Sequence, residues 1–124
     1  MTVLNRLASL QNRRDDVPNQ ELARELASRQ DRPGIRAIVE NLRNKDPDIQ
    51  SDCIKVLYEI GYLDPALIAD YLGDFLKLLA SRQNRLVWGG MIALSTLAEL
   101  KADEIFRSYA EITRVMQAGS VITM

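Results

Sequence analysis

Histidine is absent from the 124 residues, and cysteine occurs once. Without histidine the chain lacks the side chain that most often acts as a general base near neutral pH, and also the commonest metal ligand. A single thiol can form neither an internal disulfide nor a thiolate-rich zinc site, which points to a reducing cytoplasm. No continuous apolar run opens the chain, since Arg6 interrupts Val3, Leu4 and Leu7, so no export signal is indicated. The most apolar window, residues 86–98, is bounded by Arg85 and Glu99 and falls short of the roughly 20 residues a bilayer demands. Sixteen basic residues against seventeen acidic ones leave a formal charge of −1. Nothing therefore draws the whole chain to nucleic acid or to an anionic membrane. With these classes removed, no cofactor is expected.

What is present is helical spacing. Ile35, Ile38 and Leu42 form one apolar stripe; Ile68, Leu72, Phe75 and Leu79 form a second; Ile105, Tyr109, Ile112 and Met116 form a third. Between them, Ile49, Cys53, Val56, Leu57 and Ile60 are echoed by Leu86, Gly90, Ala93, Leu94 and Leu97. Recurrence at three, four and seven residues is the signature of amphipathic helices. Matching stripes are offset by a constant 37 residues, as in Ile35/Leu72/Tyr109 and Leu57/Leu94. A period of about 20–50 residues means stacked units whose apolar faces are closed only by neighbours.

Boundary chemistry predicts helices near 3–13, 18–30, 34–44, 47–62, 65–81, 84–100 and 102–117. Asp46-Pro47 and Asp64-Pro65 each offer a capping carboxylate followed by a proline at the first helical position, where its missing N–H is harmless. Asn84 is a further cap candidate, Gly61 and Gly119 suit helix ends, and Arg32-Pro33-Gly34 reads as a turn. The segment 1–33 departs from the period and reads as an N-terminal helical cap, with repeats at 34–64, 65–101 and an incomplete 102–124. Ser120, Val121 and Ile122 restart the pattern just before Met124, so the chain is expected to be the N-terminal part of a longer stack.

A first helix, a short turn, then Asp46-Pro47-Asp48-Ile49-Gln50 followed by Cys53, Val56, Leu57 and Ile60 resembles the HEAT-repeat family, over about residues 34–124. The resemblance implies an all-α fold, a HEAT-like α-solenoid of antiparallel helix pairs with a right-handed superhelical arrangement. It also implies a non-enzymatic scaffold whose second helices line a surface for a protein or peptide partner. The family usually has Arg after the hydrophobic starter, where this chain has Gln50 and Val87. That leaves the regular Asp/Arg ladder between repeats open. Two alternatives stand beside the scaffold reading. One is a HEAT-like DNA-binding or base-excision protein of the alkylpurine DNA glycosylase kind. The other is a structural segment with no partner surface of its own, self-associating through an open C-terminal end.

Few residues invite chemistry. Asp46, Asp48 and Asp52 alternate as calcium ligands would, but Ser51 holds the glycine position and Leu57 stands where a bidentate Glu belongs. Capping and the helix dipole account for these acids. Cys53 lies on an apolar stripe and reads as a small buried hydrophobe. Trp88-Gly89-Gly90 is more unusual: two glycines inside a helix cost about 1 kcal/mol each relative to Ala, so a neighbour must approach closely. Trp88 takes the slot of Ser51 one period earlier. Two placements are open, burial against an adjacent helix or exposure on the concave face. In the second, Gln50, Ser51, Lys55, Arg85, Trp88 and Ile92 form the partner site. Arg6, Arg13, Arg14, Arg29, Arg32, Arg36 and Arg43 crowd the N-terminal part; a basic track requires that they segregate in space, whereas ion pairing with nearby acids is the ordinary outcome.

Overall fold

The computed structural model describes residues 3–11 and 15–107. Six α-helices are formed among them and no strand: α1 (Val17–Arg29), α2 (Arg32–Glu40), α3 (Pro47–Leu63), α4 (Leu72–Leu78), α5 (Asn84–Thr96) and α6 (Ala102–Arg107). The chain is all-helical, as the spacing predicts.

Asp46 opens α3 as expected, its carboxylate accepting the Asp48 N–H at 2.8 Å with Pro47 at the first helical position. Asp31 does the same for α2 by accepting the Gly34 N–H at 3.0 Å. Arg32-Pro33-Gly34 is consequently the first turn of a helix and not a turn before one. Asn84 does not cap α5; Gln83 holds that position, its N–H bound by Ser81 Oγ at 3.1 Å.

The expected 34–44 helix tightens into a 3-10 turn at Asn41–Arg43 and the expected 84–100 helix stops at Thr96, and two more are broken outright. Residues 3–13 were expected as one helix, but Val3–Arg6 and Ser9–Gln11 form separate 3-10 turns. The reason lies in where the backbone N–H groups go. In an α-helix Ala8 and Ser9 would donate to the carbonyls four residues back. Here Ala8 donates to Asn19 Oδ1 at 3.0 Å and Ser9 to Asp52 Oδ2 at 2.8 Å. Tertiary acceptors have replaced the local ladder. The 65–81 helix is likewise divided into 3-10 turns at Pro65–Leu67 and Ala69–Tyr71 and then α4. Helix α3 runs on to Leu63, one residue past the expected 47–62, so Asp64 alone separates it from the next turn. Asp64 makes no side-chain cap bond, and Leu67 and Ile68 are both buried at once. Tight turns follow in place of a regular helical start. The extension of the last expected helix beyond residue 107, with Tyr109, Ile112, Met116, Gly119, Ser120, Val121 and Ile122, lies outside the described residues.

Most of the apolar mask that falls on the described residues is core, with Ile49 and Ile105 partly buried at its edge. Ile35, Ile38, Leu42, Cys53, Val56, Leu57, Ile60, Ile68, Leu72, Phe75, Leu79, Leu86, Ala93, Leu94 and Leu97 are all buried. Helix α3 stands between α1 and α5 and packs along both, while α2 packs on α3 and α4 on α5. α3 and α5 run in the same direction: Asp48 meets Arg85 near their starts, and Gly61 lies beside Thr96 near their ends. α1 packs on α3, with Leu22, Ala23 and Leu26 buried and Leu26 beside Gly34 of α2. The thin stripe of Leu22 and Leu26 is thus joined by Ala23 in the buried core.

Candidate functional site

The two glycines of α5 explain how a helix can be gripped from two sides. A Cβ on Gly89 would come within 2.7 Å of Ile54 Cγ1 and Cγ2 on α3. A Cβ on Gly90 would stand 3.1 Å from Leu78 Cβ and 3.2 Å from the Phe75 carbonyl oxygen on α4. One neighbour was expected; each glycine has its own. With Leu86, Val87, Ala93 and Leu94 also buried, the packing turns one remaining face of α5 outward. Arg85, Trp88 and Ser95 are exposed there and Ile92 is half-buried. Trp88 keeps 41% of its surface open to solvent, so of its two placements the outward one is found.

Polar contacts tie this face to α3. Arg85 Nη2 reaches Asp48 Oδ1 at 3.4 Å, across a spacing of 37 residues. Gln83 Nε2 donates to Gln50 Oε1 at 2.6 Å, and Gln50 Nε2 donates to the Leu42 carbonyl at 3.0 Å. On the other flank of α3, Lys55 Nζ lies 3.0 Å from Asp16 Oδ1, next to the start of α1. An acid near the start of one helix thus meets a base on the next helix twice over. Both pairs are solvent-exposed and each is worth well under about 1 kcal/mol; their effect is to fix register more than stability.

Of the six residues expected at a partner site, Gln50 joins the Asp48–Arg85 group through Gln83, while Trp88 and Ile92 follow along α5. Lys55 faces α1 and is not joined to them by any bond among the described residues. Ser51 is a correction: it is 2% exposed, and its Oγ has no hydrogen-bond partner among the described residues. The equivalence with Trp88 fails because α3 has a helix on each side, so the position that is open on α5 is covered on α3.

Asp48, Asp16 and Gln83 were missed, although Asp48 stands one period before Arg85 and that spacing was available. Tyr58 and Tyr62 were also missed. They meet edge to face with ring centroids 6.1 Å apart, and Tyr62 is 62% exposed. Burial, then the Asp16 and Glu59 carboxylates and the charge of an ionised Tyr62 hydroxyl, push the Tyr58 hydroxyl above its ordinary value.

The reactive inventory is small. Cys53 is buried and its thiol is pushed up to about 12, first by desolvation and then by the adjoining Asp52 charge, so it holds no thiolate for nucleophilic work. Asp46, Asp48 and Asp52 do not converge. The first two are exposed at the start of α3, whereas Asp52 is buried and accepts Asn19 Nδ2 at 2.9 Å as well as the Ser9 N–H. Among the described residues no three acids, cysteines or histidines are grouped as a metal site, and no helix is long and apolar enough to cross a membrane. Arg6 pairs with Glu25, Arg29 lies 3.4 Å from Glu25, and Arg43 lies 3.9 Å from Asp74. The Arg6 hydrogen bond is the main cause that holds the Glu25 carboxyl below its usual value.

No protein-family model matches the chain, and comparisons with curated proteins and with solved structures give no match either.

Proposed function

We propose that the chain is a HEAT-like helical-repeat scaffold without enzymatic activity, working in a reducing cytoplasm. It recognises a protein or peptide through the outward face of α5 and the adjoining start of α3. The observation that carries this reading is Trp88, a large aromatic left 41% exposed on a helix whose other faces are packed. Aromatics of this kind supply contact area at low cost in conformational entropy and recur as anchors in protein interfaces. Arg85 and Ile92 flank it with a cation and an aliphatic surface, and the Asp48–Arg85 and Gln50–Gln83 contacts keep the two helices in register beneath a bound segment.

Two further observations support protein over nucleic acid. Arg6, Arg29 and Arg43 each face a carboxylate, which removes them from a continuous phosphate track. The α5 face itself carries one arginine, with Asp48 beside it. A photo-crosslinking amino acid placed at residue 88 tests the proposal, with the same group at the exposed Lys77 on α4 as control. Capture of one partner from position 88 and not from 77, abolished in a chain that also carries R85E and I92E, is the expected result. Equal yields from both positions, or none from 88, would sink it.

A further inference from the structure

A second surface, on α2, is independent of that reading. Arg32, Arg36, Glu40 and Arg43 follow one another at spacings of four, four and three, a single stripe along α2 and the turn after it. All four are exposed. The opposite side of the helix is Ile35, Ile38, Val39 and Leu42, which are buried, so the stripe faces away from the core. Over these eleven steps a helix rises roughly 16 Å.

Three of the four charges of this stripe, Arg32, Arg36 and Glu40, are uncommitted. Arg36 and Glu40 stand at the spacing that allows an ion pair within a helix, yet no contact joins them, and neither Arg32 nor Arg36 has a partner among the described residues. Arg43 is 76% exposed, with Asp74 at 3.9 Å, the limit of an ion pair. At the head of the stripe the Asp31 carboxylate is occupied as the helix cap, and Arg29 next to it is 73% exposed. Arg32 and Arg36 are therefore held on the helix, in water, without an ion-pair partner among the described residues, whereas Arg29 is paired with Glu25 and Arg43 stands at the edge of reach of Asp74.

We infer that the outward face of α2 is a docking surface for an acidic helical segment of a partner protein. Guanidinium groups present a planar fork that matches carboxylates two bonds at a time. Regular placement along a helix favours a ligand with the same rise, and the order plus, plus, minus, plus is met by a helix reading acid, acid, base, acid. Glu40 is what selects this ligand over a nucleic acid. A phosphate chain laid along the stripe would meet that carboxylate with like charge, and the stripe has no aromatic side chain on which a base could stack. A lysine in the partner would pair with it.

The test uses the full chain and a labelled synthetic helix with acids opposite Arg32, Arg36 and Arg43 and a lysine opposite Glu40, read by fluorescence anisotropy. Binding is expected, with a loss of about tenfold or more in R32E/R36E and near abolition at about 1 M salt, where the Debye length is about 3 Å. A helix in which the first two acids are replaced by lysine should recover affinity for R32E/R36E and not for the native chain. Circular dichroism on R32E/R36E checks that these exposed changes leave the fold intact, and E40K provides a second variant, expected to bind the same helix more weakly. Binding that ignores the order of charges, binding to duplex DNA with no binding to the helix, or no binding at all would each overturn the inference.

Discussion

Asn19 and Asp52, 33 residues apart, share a buried hydrogen bond of 2.9 Å, and each also holds a backbone N–H of the N-terminal turns. Those two acceptors are the reason the segment 3–11 lies where it does. Asp52→Ala leaves the Asn19 amide and the Ser9 N–H buried without an acceptor, and should destabilise the chain by about 2–4 kcal/mol. Asp52→Asn keeps the shape but turns an N–H donor toward one of two donors, and should cost about 1–3 kcal/mol. Urea unfolding of both variants checks this; a loss below about 1 kcal/mol for Asp52→Ala would mean that the bonds are not made in solution.

The pair Gly89–Gly90 yields an ordered prediction. Ala at either position gains about 1 kcal/mol of helix propensity. At Gly90 the new methyl sits 3.1 Å from Leu78 Cβ and 3.2 Å from the Phe75 carbonyl oxygen, so α4 must give by a few tenths of an ångström and that cost offsets most of the gain. At Gly89 it sits 2.7 Å from two carbons of Ile54, a fully buried β-branched residue, and the net change should be a loss of about 1–3 kcal/mol. Thermal or urea unfolding should therefore rank Gly89→Ala below Gly90→Ala. Ile54→Ala should cost less in the Gly89→Ala background than alone, a coupling that a double-mutant cycle measures.

Trp88 is the one tryptophan in the chain, so its fluorescence is an unambiguous signal. An indole left 41% open should emit to the red of a buried one and be quenched readily by acrylamide in the native state. Trp88→Ala should cost less than about 1 kcal/mol, as changes at exposed positions do, whereas Phe75→Ala, at a side chain with no exposure, should cost about 3–5 kcal/mol. A blue-shifted, protected emission would contradict the outward placement.

Cys53 supplies a pH prediction. Its thiol is raised from 9.0 to about 12 by burial and by Asp52. A group whose folded pKa lies above its unfolded value contributes stability that is complete below the unfolded pKa and is lost as pH rises through the folded one. Stability should therefore fall between about pH 9 and 12, and Cys53→Ala should flatten that fall. At neutral pH, alkylation of Cys53 should proceed only as fast as the fold opens, and urea should accelerate it. Rapid labelling of the native chain would show that the thiol is accessible.

These results locate what could be read from the chain directly. Burial of the apolar stripes between residues 35 and 97 was legible because helical spacing depends only on local geometry. The start of α3 was legible because Asp46 and Pro47 act within one turn. The division of 3–13 was not, because its cause is a carboxylate at residue 52, and nothing near residue 9 reports it. Ser51 and Trp88 illustrate the same limit from the other side. Their positions in the period are equivalent, but α3 is flanked by α1 and α5, and on α5 no described helix covers that position. Period predicts which positions correspond, and neighbours decide which of them reach solvent. The Asp48–Arg85 pair lies between these cases, with its spacing visible and its geometry not.

The place of α3 between α1 and α5 bears on how such a chain can change in length. A helix that serves two neighbours at once cannot be removed without leaving both α1 and α5 with an apolar side in water. An inserted pair beside it would have to reproduce the Ile54–Gly89 fit on one side and the Asn19–Asp52 bond on the other. Variation in this protein is therefore expected to accumulate at exposed positions outside the α2 and α5 faces, such as Lys77 on α4, and the middle helix to be the part that drifts least.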